Sequence, residues 1–96
     1  MTTVTRYKDR ITIEGHSGYA PIGQDIVCAA VSVLVQTLIQ SVESLTVDKI
    51  TYDMQPGTVD IKFWSLSDHS KVLIDSFFIG IEGIAEAYPD NVKVTV

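Results

Sequence analysis

Ninety-six residues, 46% hydrophobic and 20% charged, suffice for one modest core, and we expect a single domain over residues 1–96. A net charge of −5 with no basic run excludes a surface built for nucleic-acid phosphate, though it suits a basic protein partner. The single cysteine excludes an internal disulfide and fits a reducing compartment; without a CxxC pair a structural zinc site is not expected, and no metal or other cofactor is assigned. The N-terminus has no apolar signal core, and the longest greasy run, Ile26 to Val35, is interrupted by Ser32. The expectation is therefore a soluble, cytoplasmic protein with no membrane segment.

Thr2 to Tyr7 is threonine-rich and weakly alternating, which suits a strand. After a Lys8-Asp9 turn, Ile11 and Ile13 share one face of a second strand that Gly15 ends, so a hairpin is predicted. The following residues hold Gly18, Pro21 and Gly23 and must form a loop. Asp25 is placed to cap a helix running to about Ser44, with Val27, Val31, Leu34, Leu38, Val42 and Leu45 on one stripe. Ile26, Ala29, Ala30 and Val33 widen the apolar surface of its first half, which predicts burial on more than one side or an interface. Thr46–Tyr52 and Thr58–Trp64 read as a second hairpin around Met54-Gln55-Pro56-Gly57, with Phe63, Trp64 and Tyr52 as packing residues. Ser67-Asp68 begins a second helix with Val72, Leu73, Phe77, Ile81, Ile84 and Ala85 inward, ending before Pro89. Gly80 and Gly83 in that helix call for close packing or a kink. Asn91 to Val96 alternates as a last strand. The order ββαββαβ predicts an α+β two-layer sandwich: a mostly antiparallel five-stranded sheet with two helices on one face.

The stretch from Gly15 to Ser32 carries the candidate chemistry. Cys28 falls in the first turn of the first helix, where unsatisfied N–H groups and the positive end of the helix dipole favour a thiolate. The same amides could help bind an oxyanion. His16, on the glycine-rich loop twelve positions earlier, is the candidate base. Asp25 stands three residues before Cys28, able either to orient His16 or to oppose thiol ionisation by its charge. Ser32, one turn on, shares the thiol's helical face. Pattern alone also permits the blander reading, in which Cys28 is a small buried hydrophobe, His16 a solvated loop residue, Asp25 only a cap, and Gly15, Gly18 and Gly23 only turn residues. His69, beside Asp68, reads as surface, and a metal site from His16, Cys28 and His69 has no supporting motif.

Gly-His-Ser-Gly-Tyr-Ala, followed by Gly-Gln-Asp-Ile-Val-Cys-Ala-Ala-Val-Ser, resembles the signature of the ribosomal-processing cysteine proteases, the Prp family. Phe78-Ile79-Gly80-Ile81-Glu82-Gly83-Ile84-Ala85 and Tyr88-Pro89 are similar to that family's second helix and its exit, so the resemblance spans essentially the whole chain. It departs at Ser17, where alanine is common, and at the variable Pro21-Ile22. The resemblance implies a Cys28–His16 catalytic dyad with Gly15, Asp25 and Ser32 around it. It also implies a homodimer whose glycine-rich loop opens and closes over the substrate. The implied reaction removes a short hydrophobic N-terminal leader, ending in paired aromatics, from the precursor of large-subunit ribosomal protein twenty-seven. Two alternatives stand beside it: a phage-type relative processing a capsid protein, and a non-catalytic homodimeric binding module for a ribosome-assembly partner. A redox sensor would lack a resolving cysteine.

Overall fold

A computed structural model describes residues 1–96. Strands Thr2–Arg6 (β1) and Arg10–Glu14 (β2) pair antiparallel, and the turn closes with Tyr7 N–H donating to the Arg10 carbonyl at 2.8 Å. A long loop leads to helix Ile26–Leu45 (α1). Strands Ile50–Gln55 (β3) and Thr58–Phe63 (β4) form the second hairpin, and β4 pairs antiparallel with β2. Helix Asp68–Ala87 (α2) then crosses back, so that Val92–Thr95 (β5) enters beside β1 and parallel to it. The sheet order is β3-β4-β2-β1-β5. Element order, mostly antiparallel pairing and the two-helix layer all match the expectation.

One core joins sheet and helices. Val4, Ile11, Ile13, Ile61, Phe63 and Val92 supply the sheet side, and Val27, Val31, Val35, Leu38, Ile39 and Val42 the α1 side. Burial at steps of three and four follows the helical period. Details of the stripes differ from the sequence reading. Leu45 is 70% exposed, while Val35 and Ile39 are buried in the row beside it. On α2 the packed face rotates toward Ile74 and Phe78, which leaves Val72 at 66% exposure. Two apolar rows lay side by side in each helix, and the sheet selected one centre line.

Other boundaries shift for local reasons. Thr46 to Lys49 is not strand. Thr46 caps α1 by donating from its amide and hydroxyl to the Val42 carbonyl, and Asp48 accepts from the Ser67 amide, Ser67 Oγ and Ser70 Oγ. Those hydrogen bonds hold the Asp48 carboxyl below its usual range, Ser67 Oγ–H contributing most and Ser70 next. β4 ends at Phe63, leaving Trp64 solvated like Tyr52, so of the three expected packing residues only Phe63 is buried. Gly80 earns its place in α2: a Cβ there would lie 3.0 Å from Leu34 Cδ1 of α1, whereas Gly83 has open space around it.

The first half of α1 is not buried all round, because Ile26 and Val33 are exposed and Ala29 with them. At 20 residues and a mean hydropathy of 1.7, α1 is long and apolar enough to cross a bilayer by length and composition only, a test that a core helix also passes. Here its inner stripe is committed to the core.

Candidate active site

β2 ends and α1 begins at the same end of the sheet, and the loop between them is pinned by four ties. Gly15 donates its amide to the Gly57 carbonyl at 2.8 Å, tying the loop to the β3–β4 turn. A Cβ at Gly15 would lie 2.4 Å from the Met1 carbonyl oxygen, and its φ is +88°, so only glycine fits this crossing. The Met1 amine donates to the His16 carbonyl at 2.7 Å, and Asn91 Nδ2 donates to the Ser17 carbonyl at 3.0 Å. The fourth tie is Asp25.

Asp25 caps α1 as expected, with Oδ1 accepting the Cys28 amide at 2.9 Å. Its other oxygen gathers the loop: it accepts Ser17 Oγ–H at 2.5 Å, Tyr19 N–H at 3.2 Å and Ala20 N–H at 3.4 Å. The Ser17 hydroxyl does most to hold the Asp25 carboxyl down at about 2; desolvation, the next-largest effect, opposes it, and the Cys28 and Ala20 amides and the Cys28 thiol add smaller lowering contributions. Both oxygens are therefore engaged, and neither bonds to His16. The orienting role for His16 is not what this carboxylate does; it orders the loop that carries His16. Because the Cys28 amide is committed to Asp25, that N–H is also not free for an oxyanion.

Cys28 is half-buried, and its sulfur hydrogen-bonds within the loop, to the Ser17 amide and hydroxyl, each at 3.5 Å. His16 is exposed, with Nε2 set over Gly57, where a built Cβ would lie 3.0 Å away. No hydrogen bond joins the two side chains. They nevertheless line one cleft of about 270 Å³, together with Gly15, Ser32, Met54, Gln55 and Gly57. Ser32 thus reaches the cleft wall, one turn beyond Cys28, while Gly18 and Gly23 are left-handed loop positions outside it. His69 sits in the first turn of α2, where its charge favours the Asp48 carboxylate. It is remote from the cleft, and no three His, Cys, Asp or Glu side chains converge anywhere in the chain.

A larger cavity of about 800 Å³ lies at the opposite end of the sheet, between residues 6–9 and 63–66. It holds neither a cysteine nor a histidine. The smaller cleft is the one that brings a cysteine and a histidine together. Sequence reasoning missed three features that shape it: the β3–β4 turn under His16, and the Ser17 hydroxyl and Asn91 that hold the loop. The Pro56-Gly57 turn was legible, but nothing in the order of residues says whose side chain it supports.

Comparison with known proteins adds to this geometry. The family model described as cysteine protease Prp matches residues 1–93. The ribosomal processing cysteine protease Prp of Staphylococcus aureus is 24% identical over 87 residues, covering 88% of this chain and 82% of that protein. A crystal structure of S. aureus Prp in complex with a covalently linked product peptide superposes with a TM-score of 0.92 at 21% identity, covering 99% of this chain and 98% of that one. SMU.848 from Streptococcus mutans is similar with a TM-score of 0.72 at 30% identity, covering 98% and 90% of the two chains.

Proposed function

This chain belongs to the Prp family of cysteine proteases, and from that premise we propose that it is an endopeptidase in which Cys28 is the nucleophile and His16 the base. The observation that carries this reading is the shared cleft, which brings together the only cysteine and a histidine from a loop twelve positions away. In the proposed reaction His16 takes the Cys28 thiol proton as the sulfur attacks the scissile carbonyl. The C–N bond breaks, the imidazolium gives its proton to the leaving amine, and the acyl group stays on sulfur as a thioester. Water, deprotonated by His16, then releases the acid and restores the thiol. The covalently linked product peptide in the S. aureus enzyme is consistent with such an acyl chemistry.

The substrate we propose is a precursor protein with a short hydrophobic N-terminal leader, ribosomal protein twenty-seven of the large subunit being the first choice. The cleft's wall supports an apolar leader, since Ile13, Val31, Met54 and Val59 line it. Mass mapping of the precursor before and after incubation tests the assignment. Cys28→Ala should lose on the order of a thousandfold or more in rate, and His16→Ala should fall similarly. Full cleavage by either variant would reject the dyad, and an uncut precursor with wild-type protein would reject the substrate.

A further inference from the structure

A buried polar side chain that the dyad does not use lies between the thiol and Asp25. Ser17 is 2% exposed and follows His16 directly. Its Oγ–H donates to Asp25 Oδ2, its Oγ accepts from the Tyr19 amide at 3.3 Å, and its carbonyl accepts from Asn91. Two further contacts go to the sulfur, one from the Ser17 amide and one to the Ser17 hydroxyl oxygen.

A hydroxyl has a single proton to donate. At Ser17 that proton belongs to a carboxylate, so the oxygen turns only lone pairs toward Cys28. Such an oxygen accepts an S–H and has nothing to offer an S⁻. Donation to an ionised carboxylate also polarises the O–H and makes the oxygen a better acceptor. The Ser17 amide acts in the opposite sense, since an N–H aimed at sulfur favours the thiolate.

We propose that Ser17 is a positioning residue that latches the resting enzyme, its hydroxyl oxygen accepting the Cys28 S–H and holding the sulfur protonated until substrate binding and His16 draw the proton away. The inference rests on Cys28 being the nucleophile. Activation then breaks the S–H···Oγ bond, moves that proton to the imidazole and leaves the Ser17 amide as the donor to the thiolate. The groups facing this corner that titrate or carry charge are Asp25 beneath it, His16 on the loop and the Met1 amine on the His16 carbonyl. The β3–β4 turn contributes Met54, Gln55 and Gly57, none of which titrates.

The test is the rate of Cys28 alkylation by iodoacetamide across the pH range, in wild type, Ser17→Ala and Asn91→Ala. Ser17→Ala removes the hydroxyl acceptor, with the Asp25 carboxylate as the thiol's other partner, and should alkylate about three- to tenfold faster near pH 7, the size of one ordinary hydrogen bond to one protonation state. The excess should shrink to nothing at high pH, where both proteins are thiolate. Asn91→Ala loosens the same loop without touching sulfur and should lack that pH-dependent excess. An unchanged or slower rate in Ser17→Ala, or an excess constant at every pH, would mean exposure rather than a latch and would overturn the proposal. Repeating the pair in a His16→Ala background separates the two ideas: the latch predicts that the excess persists there, whereas failure of the dyad appears only as unimpaired cleavage. Should Ser17→Ala not fold, the wild type answers by itself, because it has one thiol. Its Raman S–H band should lie at the lowered frequency of a hydrogen-bonded thiol, and a free-thiol frequency would refute the latch.

Discussion

Replacing Gly57 by alanine tests whether the β3–β4 turn sets the position of His16. Gly57 has φ +76°, and an added Cβ would stand 3.0 Å from His16 Nε2, 3.5 Å from Cε1 and 3.6 Å from Cδ2. Left-handed backbone costs an L-residue about 1–2 kcal/mol. For a domain of this size that lowers Tm by about 4–8 °C per kcal/mol. The contact adds a second effect. Comfortable separations run at about 3.5–4.0 Å, so the imidazole must retreat by roughly 0.5 Å. If a misplacement of about 1 Å costs on the order of a hundredfold in rate, half of it should cost about tenfold. Gly18→Ala is the matched control, since Gly18 has φ +71° and nothing within 4 Å of the built Cβ. Both variants should lose similar stability by thermal unfolding, and only Gly57→Ala should lose about tenfold in peptide cleavage at equal folded fraction. Equal cleavage by the two variants would refute the claim that this turn places the imidazole.

Other perturbations follow from the same geometry. The Asp25 carboxyl sits at about 2 in the folded chain, below its unfolded value, so its contribution to loop order is present above pH of about 4 and is lost as pH falls toward 2. Amide exchange of Tyr19, Ala20 and Cys28 should report that loss, and Asp25→Ala should abolish its pH dependence. Ile81 is fully buried, so Ile81→Ala should cost about 2–5 kcal/mol by denaturant unfolding, a large part of the total for a small domain. The Arg6–Asp75 pair is 2.7 Å long but solvated, so Asp75→Ala should change stability by less than about 1 kcal/mol, and less still in high salt.

Much of the fold was legible because its signals are local. Asp25 and Ser67 are side chains that satisfy helix N–H groups within three residues, and each capped the helix expected of it. The strand pairs β1–β2 and β3–β4 were legible from short turns. The strand order was not, since placing β5 beside β1 depends on where α2 delivers the chain. Boundaries failed where a longer-range bond won over propensity: Thr46–Lys49 has β-branched residues, yet Asp48 is drawn to Ser67 and Ser70, about twenty positions on. In the site, Cys28 and His16 were nameable from residue type and spacing. The engagement of Asp25 with Ser17 instead of His16 was not, because a carboxylate's choice among donors is set by where a loop folds.

Residue order alone determined which groups this chain has to work with: one thiol at the start of an apolar helix, an imidazole among glycines, and periodicities that force a helix-on-sheet layer. Those properties are carried by a few neighbouring positions and survive without tertiary context. Only the folded chain decided that Gly57 lies under the imidazole, that Asn91 and Asp25 hold the loop, and that the sulfur rests against Ser17. Each of these joins segments distant in sequence, and the closing of the sheet is what brings them within hydrogen-bond reach.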